Sequence, residues 1–211
     1  MGRYLGPREK IERRIGEKLF LKGERSYSQK SAMTRKPYPP GMHGQGRLKK
    51  LSEFGQQLKS KQKVRNIYRL LEKPFKAYVK KVLEKKAEPY EPIMLSLESR
   101  LDNVVFRMGF AQSRDQARQI VNHGHILVNN KKVSIPSVVV KQGDVISIRE
   151  GSKKSPYFTS LMPQWWMKYE APQWILLDKE KGTATIKAKP TMLDSGIKVE
   201  DIQAIIEYYS R

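Results

Sequence analysis

Few residues in this 211-residue chain are spaced for covalent chemistry, and many are spaced to grip a polyanion. Arg114, Arg118 and Asn122 recur at i, i+4 and i+8, which sets them in one polar stripe of a helix. Ser113 stands at the start of that helix, where free N–H groups favour a phosphate. Lys131 and Lys132 follow on a predicted hairpin. Asp102, in Arg100-Leu101-Asp102, is the one carboxylate whose setting invites a catalytic reading. It falls early in an amphipathic helix, where a negative charge simply favours the positive helix end. The histidines are His43, His123 and His125, and no carboxylate or Cys set completes a zinc pattern around them. His43 lies in a Gly-rich basic loop and suits an RNA contact or loop packing. No glycine loop ending in Lys-Ser/Thr is present to cradle a nucleotide phosphate. Trp165-Trp166 could stack on bases, but local packing is the simpler reading.

The elements that must position these groups follow from periodicity. Residues 53–87 read as helical, with Phe75, Tyr78, Val79, Val82 and Leu83 on one face. Pro74 fits a first helical turn. Glu88 to Pro92 breaks the pattern. Leu97, Leu101, Val104, Val105 and Met108 share a further helical face, and Gly109 caps it. Ser113 with Gln116 is a capping box that opens the basic helix, which Gly124 closes. Asn129-Asn130 between Ile126–Val128 and Lys131–Val133 predicts a tight hairpin, because Asn tolerates positive φ. Val138–Val140 and Val145–Arg149 predict two more strands. Trp174–Leu177 and Thr183–Lys187 predict a last pair around Asp178–Gly182. Ile202, Ile205, Ile206 and Tyr209 form the stripe of a C-terminal helix, too short to stand alone and expected to dock on the earlier helices. The fold class is α+β, with two helices and several short antiparallel strands making a compact module.

Charge narrows the partner. The net charge is +21 and the pI about 10.1. Residues 1–50 carry +10, residues 51–97 +6, residues 98–150 +3 and residues 151–211 +2. Solubility alone requires no such gradient, whereas a polyanion gains affinity as Lys and Arg displace its counterions. Arg3, Arg8, Arg13, Arg14, Arg35, Lys36, Arg47, Lys49 and Lys50 are the N-terminal candidates for phosphate contact. The first 50 residues, broken by Gly6-Pro7 and by Pro37 to Gly41, are expected to build little core of their own and to order against a partner or against the following helices; the first 40 in isolation are expected to order only on RNA. The chain has no Cys, so no disulfide, thiol nucleophile or cysteine metal site. No apolar run approaches the roughly 20 residues of a membrane span. MGRYLG has neither a signal-peptide centre nor the Ser or Thr of a myristoylation site.

Ser99–Lys132 (SRLDNVVFRMGFAQSRDQARQIVNHGHILVNNKK) resembles the RNA-binding module named after ribosomal protein four of the small subunit. The motifs MGRYLGP, LFLKGERSYS, RKPYPPGMHGQ and the terminal EYYSR extend that resemblance, in the family's order, over nearly the whole chain. The resemblance implies three segments: a basic stretch 1–45, a mainly helical first domain 46–97 completed by the C-terminal helix 198–210, and the small RNA-binding module 98–190 inserted in that domain. It implies direct binding to small-subunit ribosomal RNA at a multi-helix junction, early in assembly. It also implies ribosomal proteins five and three as neighbours, messenger RNA passing close by, and an influence on translational accuracy. Arg47, Lys49 and Lys50 match the family's region beside the messenger. The implied location is cytoplasmic, in the small ribosomal subunit, with an organellar ribosome left open. No enzyme activity, cofactor, membrane or small-molecule substrate is implied. Many members bind zinc through four cysteines; the matching positions here are Glu9, Glu12, Ser26 and Ser31, which implies a zinc-free form.

Two other classes are weighed against this. Arg100-Leu101-Asp102 is similar to a triplet carrying the catalytic Asp of pseudouridine synthases, but residues 1–97 and 151–211 offer no catalytic domain. A free RNA chaperone with this module would lack the 97 residues that precede it here. RNA recognition is expected through shape and phosphates, because A-form grooves hide base edges.

Overall fold

The computed structural model describes residues 4–47, 50–85 and 88–211. Arg8–Ile15 forms α1, closed by Gly16 in the left-handed conformation. Two single-turn helices follow, α2 (Glu24–Tyr27) and α3 (Ala32–Arg35). Helix α4 (Glu53–Ile67) opens on Ser52, whose hydroxyl accepts the Gly55 N–H at 3.2 Å. Helix α5 spans Glu72–Leu83. The periodicity over 53–87 is therefore divided: the chain turns at Arg69, which takes φ 54°. Pro74 is the third residue of α5, still in the turn whose N–H groups have no intrahelical partner.

Helix α6 (Tyr90–Glu98) admits Pro92 into its first turn for the same reason. Helix α7 spans Leu101–Arg107. The single helical face expected from Leu97 to Met108 is thus split. At the break the Leu101 N–H donates to the Val138 carbonyl and the Val140 N–H to the Ser99 carbonyl, both at 2.8 Å. These bonds occupy Val138–Val140, so the strand expected there is reduced to one bridge between Arg100 and Val139. Helix α8 spans Arg114–Asn122. Strands β1 (Ile126–Val128) and β2 (Lys131–Val133) form the expected hairpin, with Asn129 and Asn130 at φ 49° and 62°. Strand β3 is Val145–Ile148. A short α9 (Glu150–Lys153), a π-helical turn at Tyr157–Leu161 and α10 (Pro163–Trp166) lead to β4 (Ile175–Asp178) and β5 (Thr183–Ile186). Helices α11 (Met192–Ser195) and α12 (Val199–Ser210) end the chain.

The chain divides into two compact units, Met1–Ile93 with Gly196–Arg211, and Met94–Ser195. In the first, α12 packs on α4 and α5. Ile202 and Ile205 are fully buried, and the Phe54–Tyr208 and Phe75–Tyr209 ring pairs lie 5.5 and 6.4 Å apart. The core of the N-terminal stretch is small: Ile11, Ile15, Leu19 and Leu21 form a buried cluster, with Ile67 of α4 packed against it. The apolar residues of that stretch are few, but α1 and the turn after it converge them.

The second unit is the α+β module. Its sheet is antiparallel throughout, in the order β2-β1-β3-β5-β4. Ile126, Ile146, Ala184 and Ile186 share one core with Leu101, Val104, Val105 and Met108 of the α7 segment and Ala117, Ile120 and Val121 of α8. The aromatic stretch after residue 156 closes the end of α7. Carbonyls of Arg107, Met108, Gly109 and Phe110 accept from Tyr169 Oη (3.2 Å), Trp166 Nε1 (2.9 Å), Trp165 Nε1 (2.9 Å) and Tyr157 Oη (2.7 Å). A helix end leaves such carbonyls without intrahelical partners. Both tryptophans are thereby packing groups. Gly109 is required twice: its φ is 76°, and a Cβ there would meet the Tyr169 ring at 2.5 Å.

Replacing Trp166 by Phe keeps an aromatic ring, though a smaller one, and strips the Met108 carbonyl of its buried donor. Urea unfolding is expected to show a loss of about 1–3 kcal/mol, and an unchanged midpoint would contradict the capping role. In the first unit, Glu72 Oε1 accepts from Lys61 Nζ and Tyr209 Oη, each at 2.7 Å. Burial alone would raise the Glu72 pKa, but these bonds and the Lys61 and Arg65 charges outweigh it and hold the carboxyl below its ordinary value. Its contribution to stability is therefore present above the ordinary carboxylate range and fades as pH falls through the lowered value. Glu72→Gln is expected to cost no more than about 1 kcal/mol at neutral pH, since the side chain is 44% exposed. The difference from wild type should vanish in acid denaturation series.

Candidate nucleic-acid interface

The basic helix α8 is held by two buried carboxylates at the break between α6 and α7. Asp102 is 2% exposed. Its Oδ1 accepts from Arg100 Nε at 3.0 Å, and its Oδ2 accepts from Arg100 Nη2 at 2.9 Å and Arg118 Nε at 2.8 Å. Arg118 Nη2 lies 2.6 Å from the same oxygen. Asp102 Oδ1 also accepts the Asn103 N–H at 2.9 Å. The Glu98 carboxylate, fully buried, takes a two-pronged contact from Arg107 at 2.8 and 3.0 Å and a bond from Asn103 Nδ2 at 2.7 Å. Asn103 Oδ1 in turn accepts from Arg114 Nε at 2.8 Å, and the Arg114 guanidinium sits 4.5 Å over the Phe106 ring. Asp102 is thus wholly engaged by guanidinium and amide donors, the setting of a structural carboxylate.

The stripe expected on α8 therefore consists of positioned side chains. Arg114 and Arg118 are half-buried, and Asn122 is exposed at the C-terminal turn. Ser113 caps α8, its Oγ accepting the Gln116 N–H at 3.3 Å. The return bond of the box is shifted by one residue, because Gln116 Oε1 accepts the Gln112 N–H at 2.9 Å. Lys131 and Lys132 are exposed on β2, an edge of the sheet. The Lys132 chain lies against Gly124, where a Cβ would meet its Cε at 2.4 Å. His125 Nδ1 is 2.9 Å from Ser152 Oγ. Burial first, then the nearby His123 and Arg149, lower its pKa, which keeps it neutral at pH 7.

Among the N-terminal candidates, Arg13 is an internal brace. Its guanidinium donates to the carbonyls of Lys36, Tyr38 and Pro39 at 3.0, 3.0 and 3.4 Å and lies 4.9 Å over the Tyr38 ring. It ties α1 to the segment that carries Arg35 and Lys36, both exposed. Arg8 is half-buried, and Arg14, Arg47 and Lys50 are exposed. Arg3 and Lys49 lie outside the described residues. The four positions that match family zinc ligands do not fit a metal. Glu12, 1% exposed, accepts the Leu19 and Leu21 N–H groups at 3.1 Å through one oxygen. Glu9 accepts the Ala32 N–H at 3.1 Å and faces Lys22 Nζ at 3.6 Å. Ser26 Oγ accepts the Lys22 N–H at 3.1 Å, and Ser31 is buried. Backbone N–H groups and a lysine occupy the donor atoms, and two carboxylates with two hydroxyls are a poor tetrahedral zinc set.

Two protein-family models match adjoining parts of the chain. The ribosomal protein S4/S9 N-terminal domain family matches residues 3–98, and the S4 domain family matches residues 99–146. Proteins called small ribosomal subunit protein uS4 from Citrifermentans bemidjiense, Syntrophomonas wolfei and Thermotoga petrophila are 46%, 47% and 46% identical over 211 residues, covering all of both chains. The chain belongs to the S4 family of small-subunit ribosomal proteins. As an S4 family member it is a structural protein that binds small-subunit ribosomal RNA, not an enzyme.

Two basic groups of this S4 family chain escaped the sequence reading. Lys73, Lys76 and Lys80 form an exposed row on α5, opposite buried Phe75, Val79 and Val82. Their i, i+3, i+7 spacing was a legible signal. Arg65 and Arg69 line a cavity at the end of α4, and nothing in local spacing announces it.

The carboxylate framework is tested by Asp102→Asn, which leaves Arg100, 4% exposed, without its charged partner. A loss of about 3–5 kcal/mol is expected in chemical denaturation. Glu150→Gln, which breaks the exposed Lys153 pair, should cost less than about 1 kcal/mol. Equal costs would sink the framework.

Proposed function

We propose that this chain is a primary binder of small-subunit ribosomal RNA that helps nucleate subunit assembly. In the cytoplasmic small subunit it contacts ribosomal protein five and neighbours protein three. Arg47, Lys49 and Lys50 stand beside messenger RNA as it enters, and through that position the protein contributes to translational accuracy. Its parts would be the basic stretch 1–45, the helical domain 46–97 with helix 198–210, and the module 98–190.

The observation that carries the RNA reading is the rigid mounting of Arg114 and Arg118 on Asn103 and Asp102. Guanidiniums braced this way are held in fixed orientations. That suits phosphates of a folded RNA and costs little ordering on binding. Ser113, Asn122, Lys131 and Lys132 extend the candidate contact on the second unit. Arg3, Arg8, Arg13, Arg14, Arg35 and Lys36 supply the first. Arg118→Ala would destabilise the module as well as remove a contact, so it does not isolate the interface.

The exposed lysines avoid that difficulty. Lys131→Ala with Lys132→Ala is expected to leave the melting temperature within error. It should weaken binding to a small-subunit junction RNA and reduce the slope of log K against log salt by about one per lost phosphate contact. Filter binding between low and moderate salt measures this, and an unchanged slope would remove the hairpin from the interface. A hydroxyl-radical footprint of the full chain on small-subunit RNA tests the whole reading, which fails if protection is spread without preference.

A further inference from the structure

A cavity of about 130 Å³ opens within the first unit, lined by Tyr4, Ile11, Arg14, Ile15, Gln62, Arg65, Asn66, Arg69 and Leu70. Three arginines and two amide residues line it from α1, α4 and the turn after α4, and among the described residues its lining includes no carboxylate. Arg65 and Arg69 are drawn in rather than splayed into water. Arg65 Nη1 donates to the Leu70 carbonyl at 3.2 Å and its Nε to Gln62 Oε1 at 3.0 Å, with Glu72 at 3.6 Å. Arg69 is only 7% exposed, and its guanidinium lies 5.5 Å from the Tyr4 ring centroid. Burial lowers the pKa of Arg65; the Glu72 charge, and then Tyr209, oppose the shift, and the neighbouring Arg69 charge adds slightly to it.

The backbone at Arg69 points the same way. Residue 69 closes α4: the Leu70 N–H reaches back to the Arg65 carbonyl at 3.1 Å, and residue 69 takes φ 54°. Glycine is the usual occupant of that left-handed position, and a branched or long side chain is strained there. Here the position holds an arginine whose side chain is turned into the cavity lining. Strain of this kind, kept where glycine would serve the backbone better, marks a side chain retained for what it touches.

We propose that this cavity is a phosphate site, in which Arg14, Arg65 and Arg69 clasp one phosphate group. The proposal rests on the RNA-binding reading for its principal source of phosphate, the RNA backbone, and a free phosphate carries the same chemistry. Bringing like charges together costs free energy in the bare protein, and an entering anion offsets that cost. The space suits a phosphate with a few waters, each taking about 30 Å³ in the liquid.

The test uses the full-length protein and the variants Arg69→Gly and Arg14→Ala. Arg69→Gly removes the guanidinium while suiting the left-handed backbone, so its melting temperature should not fall. Arg14 is exposed, so its truncation leaves the core intact. Inorganic phosphate is titrated against wild type with arginine Nε–Hε resonances observed, and binding to small-subunit RNA is measured across salt. Saturable shifts at Arg65 and Arg69 that Arg69→Gly abolishes support the site with free phosphate. A salt slope lowered by about one in each variant supports it with RNA phosphate. No saturable shift together with wild-type slopes in both folded variants overturns the site. The RNA-binding reading would survive that result if wild type still binds small-subunit RNA preferentially. Conversely, loss of RNA preference in wild type with phosphate shifts intact would sink that reading and spare the site.

Discussion

A buried carboxylate with two guanidiniums on it organises the RNA-binding unit. Asp102 sits between Arg100, two residues before it in sequence, and Arg118, on the following helix. Charges this deep must be matched on every lone pair, or the unit loses several kcal/mol. Matching fixes much else. Arg100 must be extended to reach back to Asp102, which breaks the helix between Glu98 and Leu101. The break frees the Ser99 carbonyl and the Leu101 N–H to bond with residues 138–140. Glu98, left at the end of α6, becomes the partner of Arg107 and Asn103, and Asn103 sets Arg114. The arginines that face RNA in the proposed reading are therefore end points of an internal network.

The same device recurs in the N-terminal stretch with a different partner. Glu12 is as deeply buried as Asp102, but its oxygen accepts backbone N–H groups of the turn after α1. Glu9 does so for the start of α3. Where many S4 family members gather this segment around thiolates and a metal, here single carboxylates gather it around N–H donors. Charge-assisted bonds of this type are among the stronger ones a small segment can make. They explain how a stretch with only four buried aliphatic residues holds three short helices.

Much of this was legible, and the failures share a cause. Local rules worked where local geometry decides: the Asn129-Asn130 turn, the Gly109 and Gly124 caps, the Ser113 cap, and the strands around Asp178–Gly182. They failed where a distant group overrides the local one. Helical periodicity runs through Ser99 and Arg100 because it cannot see Val138 to Val140. It runs through Arg69 because an arginine gives no sign of left-handed backbone. No local signal places the aromatic run from Tyr157 to Trp174, because its partners are carbonyls roughly fifty residues earlier. The basic stripe on α8 was visible as composition and spacing. Its bracing by Asp102 and Asn103 was not, since a carboxylate at a helix start has an ordinary dipole explanation.

The bracing also reassigns the electrostatics. Residues 98–150 carry only +3, and Arg100, Arg107 and Arg118 already face carboxylates inside the fold. Counterion release scales with the phosphates newly neutralised, so positive charge already paired internally adds less to it than free charge. The second unit is thus better suited to fixing orientation than to supplying long-range attraction. The first fifty residues, at +10 with Arg14, Arg35, Lys36, Arg47 and Lys50 exposed, and the lysine row of α5 are suited to attraction. A protein built this way would approach RNA through its helical unit and be set in register by its module. Salt should then act chiefly on the rate of association, and variants in the Asp102 network chiefly on the lifetime of the complex.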